Sequence, residues 1–212
     1  MGILGNSEDF YSRVIAVTNR HLCAGPYLEQ IERICRRQPG AVIVREKDMG
    51  PEDYELLYRQ VREICQTYGV PCIAHTYAKA ALHVGSRAIH VPLHLLKETP
   101  KIRGQFDIIG VSIHGKEEAL LAERLGASYL TAGHIFATDC KKGVAPRGVE
   151  FLENVCEAVC LPVYAIGGMK GEIGCVEEMM AHGARGICVI DVYKRQISGI
   201  CLELFQQRVP VF

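Results

Sequence analysis

A parallel (β/α)₈ barrel of eight strands, an α/β fold, is what this sequence predicts, and three observations carry the prediction. Short apolar runs recur along the chain and alternate with amphipathic stretches. The runs are continuous rather than alternating, the pattern of strands covered on both faces of a parallel sheet. Residues suited to binding and catalysis follow the second, fifth, sixth, seventh and eighth runs, so those strand ends must converge in a ring. An open doubly wound sheet is the competitor, but nothing like G-x-G-x-x-G follows the first strand.

Taken in order, strands are expected at residues 13–17, 41–44, 71–74, 88–91, 108–111, 128–132, 162–166 and 186–190. Between the second and third, Leu57, Val61, Ile64, Cys65 and Tyr68 recur at helical spacing. Ile173, Val176, Met179 and Met180 do the same before the last strand. A helix over about residues 116–125 opens with Glu117 and Glu118, which suit the positive end of the helix dipole, and Gly126-Ala127 stops it. At 212 residues the chain is near the short end of barrel lengths, and no linker or low-complexity stretch divides it. Residues 1–212 are expected to form a single domain.

Composition narrows the function classes. Hydrophobic residues make up 49% and charged residues 23%, which excludes a mainly disordered chain. Lys+Arg and Asp+Glu balance at 24 each, so there is no basic field for nucleic acid. No segment approaches the roughly 18 apolar residues of a membrane span. The start, M-G-I-L-G-N-S-E-D-F, lacks the basic region and apolar run of an export signal and the Ser/Thr of a myristoylation site. Ten cysteines contain no C-x-x-C; Cys156 and Cys160 fit one helix face as packing residues. A cytoplasmic protein without nucleic-acid or membrane partners is expected.

The densest chemical signal is G-H-I-F-A-T-D-C-K-K-G-V-A-P-R-G, Gly133 to Gly148, directly after a strand. Glycines let backbone N–H groups approach an anion, and Thr138, Lys141 and Lys142 add hydroxyl and ammonium donors. Cys140 in the same loop suits a small ligand contact better than a thiolate nucleophile. Arg45-Glu46-Lys47 follow the second strand and read either as a clamp for phosphate or carboxylate or as a rim salt-bridge network, with their location favouring the clamp. Gly167-Gly168 offer bare N–H groups before a helix, or simply a tight turn. His114 and His134 stand past the fifth and sixth strands, where an imidazole moves protons or merely sits as a solvated bystander. His75 ends the third strand; His90 and His94 are four apart, but Pro92 between them disfavours a helical ligand pair.

V-I-V-R-E-K, I-I-G-V-S-I-H, A-S-Y-L-T-A-G-H-I-F-A-T-D-C-K-K-G and P-V-Y-A-I-G-G-M together resemble the thiamin phosphate synthase/TenI superfamily over nearly the whole chain. The long loop motif looks closest to the TenI branch, which includes a thiazole tautomerase. That resemblance implies a homodimeric barrel in thiamin biosynthesis that aromatises a carboxythiazole phosphate without metal or other cofactor. His114 would be the acid/base group, adding typically 10²–10⁴-fold. Arg45, Lys47, His75, Ser112, His134, Thr138, Cys140, Lys141, Lys142, Gly167, Gly168, Ser198 and Gly199 would bind the phosphorylated substrate.

Two alternatives accompany this expectation, a thiamin phosphate synthase and a non-catalytic ligand-binding barrel. The synthases join a pyrimidine diphosphate to a thiazole phosphate and hold Mg²⁺ with aspartates. The corresponding places read His75-Thr76 and Val91-Pro92-Leu93-His94, without a carboxylate. One departure concerns the last corner: Asp191 to Gln196 stand before Ile197-Ser198-Gly199. Either the loop is extended and the phosphate seat reorganised, or these residues are a sequence artefact.

Overall fold

Eight parallel strands close on themselves in chain order. They are β1 (Val14–Val17), β2 (Ala41–Val44), β3 (Cys72–His75), β4 (Ala88–Pro92), β5 (Ile108–Ile113), β6 (Tyr129–Gly133), β7 (Val163–Ile166) and β8 (Gly186–Val189). Between β8 and β1 the register sets Cys188 opposite Ile15. The computed structural model describes residues 7–138 and 143–190. Every expected strand is present; β5 differs most, running on through Ser112 and Ile113.

Around the strands lie α1 (Ser7–Ser12), α2 (Tyr27–Cys35), α3 (Pro51–Thr67), α4 (Ala78–His83), α5 (Leu93–Glu98), α6 (Ile102–Gln105), α7 (Lys116–Arg124), α8 (Gly148–Ala158) and α9 (Ile173–Ala181). The longest, α3, starts where Gly50 is followed by Pro51, with Glu52 and Asp53 in its first turn. Its inner face buries Tyr54, Tyr58, Val61 and Cys65, spaced by three or four residues. The Tyr54 hydroxyl donates to the Val44 carbonyl at 2.7 Å and accepts from the His75 N–H at 2.9 Å. One helix side chain thus fastens the ends of β2 and β3 at the height where the chemistry begins. Neither tyrosine was among the core residues expected from the sequence. Cys160 lies beyond the end of α8 and is exposed, so it does not share a packing face with Cys156.

Strand side chains alternate between two faces. Val14, Ala16, Val42 and Val44 belong to the larger core between strands and helices. Ile15, Val17, Ala41, Ile43, Ile73, Tyr129 and Cys188 form a separate cluster inside the barrel. Both faces are apolar in β1 and β2, so their alternation is silent in the sequence. No helix among the described residues is long and apolar enough to cross a membrane.

Candidate functional site at the barrel mouth

Toward the C-terminal ends of the strands, the inward-facing positions turn polar. His75 stands beside His90 in the pairing of β3 with β4, and their rings stack with centroids 5.7 Å apart and planes 20° from parallel. His90 Nδ1 is 3.0 Å from the Tyr129 hydroxyl, and its Nε2 is 2.8 Å from Ser112 Oγ. Burial holds the Tyr129 phenol well above its ordinary pKa, so it remains a protonated donor. With Nδ1 accepting from it, the Nε2–H of His90 donates to Ser112, whose oxygen also accepts from Thr131 at 3.3 Å. Gly110 makes this chain possible: a Cβ there would stand 2.2 Å from Tyr129 Cζ and 2.4 Å from His90 Nδ1.

Both imidazoles are held neutral. Burial, reinforced by the neighbouring His90 and by the charges of Arg45 and Lys47, pushes His75 down to about 2. Burial and Arg45 push His90 down to about 3. Arg45 thus bears on both imidazoles and Lys47 on His75. Arg45 is half-buried and Lys47 exposed at the rim, while Glu46 between them is buried. The rim-network reading of this triplet takes an unexpected form: the Glu46 carboxylate accepts from the Thr18 hydroxyl at 2.7 Å and from the Arg20 N–H at 3.1 Å. The Arg20 guanidinium adds a contact at 3.3 Å, as does the Tyr27 hydroxyl.

The other half of the mouth is built on backbone. His114, exposed just past β5, has Nδ1 2.8 Å from the Gly133 carbonyl, so Nδ1 carries the hydrogen and Nε2 the lone pair. His134 is buried, with Nε2 3.3 Å from the Val144 carbonyl and no hydrogen-bond partner for Nδ1 among the described residues. Gly167 and Gly168 both take positive φ, 97° and 71°. A Cβ on Gly167 would come within 2.3 Å of His134 Cβ, and one on Gly168 within 2.6 Å of Phe136 Cβ. The glycine pair therefore has a packing reason, the close approach of the loops after β6 and β7, beside any use as an anion seat. Thr138 is half-buried in the first of these loops. Cys140, Lys141, Lys142, Ser198 and Gly199 lie outside the described residues.

The positions that would face Mg²⁺ in a synthase do not suit that ion. Thr76 Oγ1 is 2.7 Å from His75 Nδ1, His75 is neutral and buried, and His94 is exposed on α5. A hard cation prefers carboxylate and water oxygens, and none of these side chains offers a carboxylate. Among the described residues no group of three His, Cys, Asp or Glu is placed to hold a metal.

The structure thus brings together Arg45, Lys47, His75 and Ser112 on one side, and His114, His134, Gly167 and Gly168 on the other. Sequence reasoning missed His90 as a site residue, and with it Tyr129, Thr131 and the clasp at Glu46. The available signal was alternation within A-I-H-V-P and Y-L-T-A-G, where His90, Tyr129 and Thr131 take positions between buried aliphatic ones.

A family model described as thiamine monophosphate synthase (TMP-TENI) matches residues 14–192. The thiamine-phosphate synthase 2 of Streptococcus pneumoniae is 32% identical over 184 residues, 84% of this chain and 85% of the relative. The thiamine-phosphate synthase of Shouchella clausii is 34% identical over 182 residues, covering 84% and 86%. Among solved structures, a thiamine phosphate pyrophosphorylase from Pyrococcus furiosus superposes with a TM-score of 0.77 at 26% identity, covering 95% and 96% of the two chains. These findings overturn the expectation of a thiazole tautomerase, because the relatives are named as synthases. The physical reason is plain: a loop of Gly, Thr and Lys after a strand is what any phosphate cradle requires, so it does not separate an isomerase from a transferase.

Proposed function

Because the chain belongs to the thiamine monophosphate synthase family, we propose that it is a transferase that joins a pyrimidine diphosphate to a thiazole phosphate and releases pyrophosphate. The observation that carries this reading is the pair Arg45 and Lys47, set over a floor of neutral hydrogen-bonding groups. When the diphosphate leaves, negative charge grows on its oxygens, and fixed cations in a partly desolvated mouth stabilise that charge more than they stabilise the bound substrate. Neutral His75 and His90 add no positive charge that would draw the diphosphate deeper than the rim. Ser112 accepts from His90 and Thr131, which leaves its own hydrogen to a ring acceptor of the pyrimidine.

On the opposite side, Thr138 and the Gly167–Gly168 turn would meet the ester phosphate of the thiazole. His114 would present Nε2 as a hydrogen-bonding group to that second substrate. No step is routed through a divalent ion, since the described side chains at the synthase positions do not suit one. The same reading carries a homodimer in the cytoplasm, which sedimentation and fractionation check.

The test is to incubate the full chain with both substrates, with Mg²⁺ in one arm and EDTA in another, and to measure thiamine phosphate by mass spectrometry. Product in either arm supports the transferase, and Arg45→Ala is expected to lower kcat/KM by about 100-fold. Binding of the diphosphate with no product in any arm overturns it. That outcome would support a non-catalytic ligand-binding barrel, which the lack of a carboxylate at His75-Thr76 and at His94 favours.

A further inference from the structure

Glu46 is a buried carboxylate on the outer side of the very segment that supplies the two rim cations. Extended backbone sends alternate side chains to opposite faces. Because Ile43 faces the axis, the parity of β2, which ends at Val44, carries Arg45 toward the inner side and Glu46 to the outer; the turn that begins at Lys47 follows at the rim, close enough for the Lys47 charge to act on His75. Glu46 is 2% exposed and is met by donors that all come from the segment after β1: the Thr18 hydroxyl, the Arg20 N–H and guanidinium, and the Tyr27 hydroxyl. Thr18 closes the clasp in both directions, since its oxygen accepts from the Arg45 N–H at 2.9 Å while its hydrogen goes to Glu46. Arg20 then reaches past Glu46 to Asp48, with Nη1 2.7 Å from the carboxylate, and His21 Nε2 meets the same group at 2.9 Å.

We infer that Glu46 is a positioning residue for anion binding: its clasp with Thr18 and Arg20 sets the twist of the β2 exit so that Arg45 and Lys47 are delivered together to the mouth. The inference rests on the anion-binding reading of those two cations. A buried carboxylate that accepted from Arg45 or Lys47 itself would neutralise them; this one is occupied from the other side of the strand. The clasp also explains why the segment reads R-E-K rather than three basic residues. A cation at position 46 would face the Arg20 guanidinium and the N–H groups that Glu46 now accepts from.

Titration of inorganic pyrophosphate into the full chain by calorimetry tests it. Glu46→Gln keeps the shape but turns an amide NH₂ toward donors. It is expected to weaken pyrophosphate binding about tenfold, the scale of a small misplacement of a charged contact. On an Arg45→Ala background the same change is expected to cost less than about threefold, because its effect runs through a side chain already removed. Thr18→Val, which opens the clasp without changing charge, is expected to act in the same direction, and Thr18→Ser to restore wild-type affinity. Should Glu46→Gln fail to fold, the Thr18 pair carries the test. Wild-type affinity in Thr18→Val, an equal loss on both backgrounds, or no pyrophosphate binding by the wild type would overturn the inference. A wild type that binds pyrophosphate yet forms no thiamine phosphate removes the transferase reading and leaves this one standing. Product formation with undiminished affinity in the Glu46 and Thr18 variants does the reverse.

Discussion

The two ends of the barrel interior are made from the same strands and do opposite work. Toward the N-terminal ends and the middle, Ile15, Ala41, Ile43, Ile73 and Cys188 pack as an apolar plug. Toward the mouth the axis is lined by His75, His90, Ser112 and Thr131, each hydrogen-bonded to another polar side chain. Apolar burial is non-directional and stabilises the closed sheet. Buried polar groups stabilise only when every partner is in place, and that requirement holds them in one arrangement. The plug keeps the barrel closed; the polar layer gives it something to recognise.

That contrast is sharpened by substitutions of unequal effect. Ile43→Ala removes buried aliphatic volume from the plug and is expected to cost about 2–5 kcal/mol in urea unfolding, while pyrophosphate affinity of the folded chain stays near wild type. An affinity loss as large as the stability loss would show that plug and polar layer are one unit. Gly110→Ala forces a methyl into the space shared by Tyr129 and His90 and is expected to cost about 1–3 kcal/mol. It differs from the first change in also weakening ligand binding, because the chain leading to Ser112 must shift.

Acidification probes the polar layer without mutation. His75 and His90 have folded pKa values near 2 and 3, far below the unfolded value near 6.5, so the unfolded chain binds protons that the native chain refuses. Their contribution to stability is therefore complete above about pH 6.5 and falls as the pH drops toward those folded values. Each histidine sets an upper limit of about 1.4 kcal/mol per pH unit between roughly pH 6 and pH 4. Urea midpoints across that window should fall less steeply in His75→Asn than in the wild type; equal slopes would mean that the imidazole is not held neutral. The smallest effect is expected at the opposite end of the barrel. The exposed Arg87–Asp107 pair, 3.1 Å apart, flanks β4 and β5 far from the mouth. Arg87→Ala should change stability by less than about 1 kcal/mol and leave turnover unchanged.

Much of this architecture was legible from the chain. Continuous apolar runs gave all eight strands because strands covered on both sides need apolar residues on both sides. The same property hid the site. In V-I-A-V and A-V-I-V nothing distinguishes the face toward the axis from the face toward the helices, and only the polar residues of β4 and β6, His90 and Thr131, mark the inward side. R-E-K in sequence allows either a clamp or a rim salt-bridge network, and nothing in it shows that the carboxylate is held by residues 26 and 28 positions earlier. His75-Thr76 was noted for lacking a carboxylate, but the stacked imidazole pair it enters required the register of β3 on β4.

By itself, the sequence determined the barrel and where along the chain its strands fall, because these follow from local hydrophobic pattern. Only the tertiary structure decided which side chains meet. Contacts such as Glu46 with Thr18, or His90 with Ser112 on the next strand and Tyr129 on the one after, are set by register and by the curvature of the closed sheet. Closure is a property of the whole sheet and leaves no mark on any single segment of the chain.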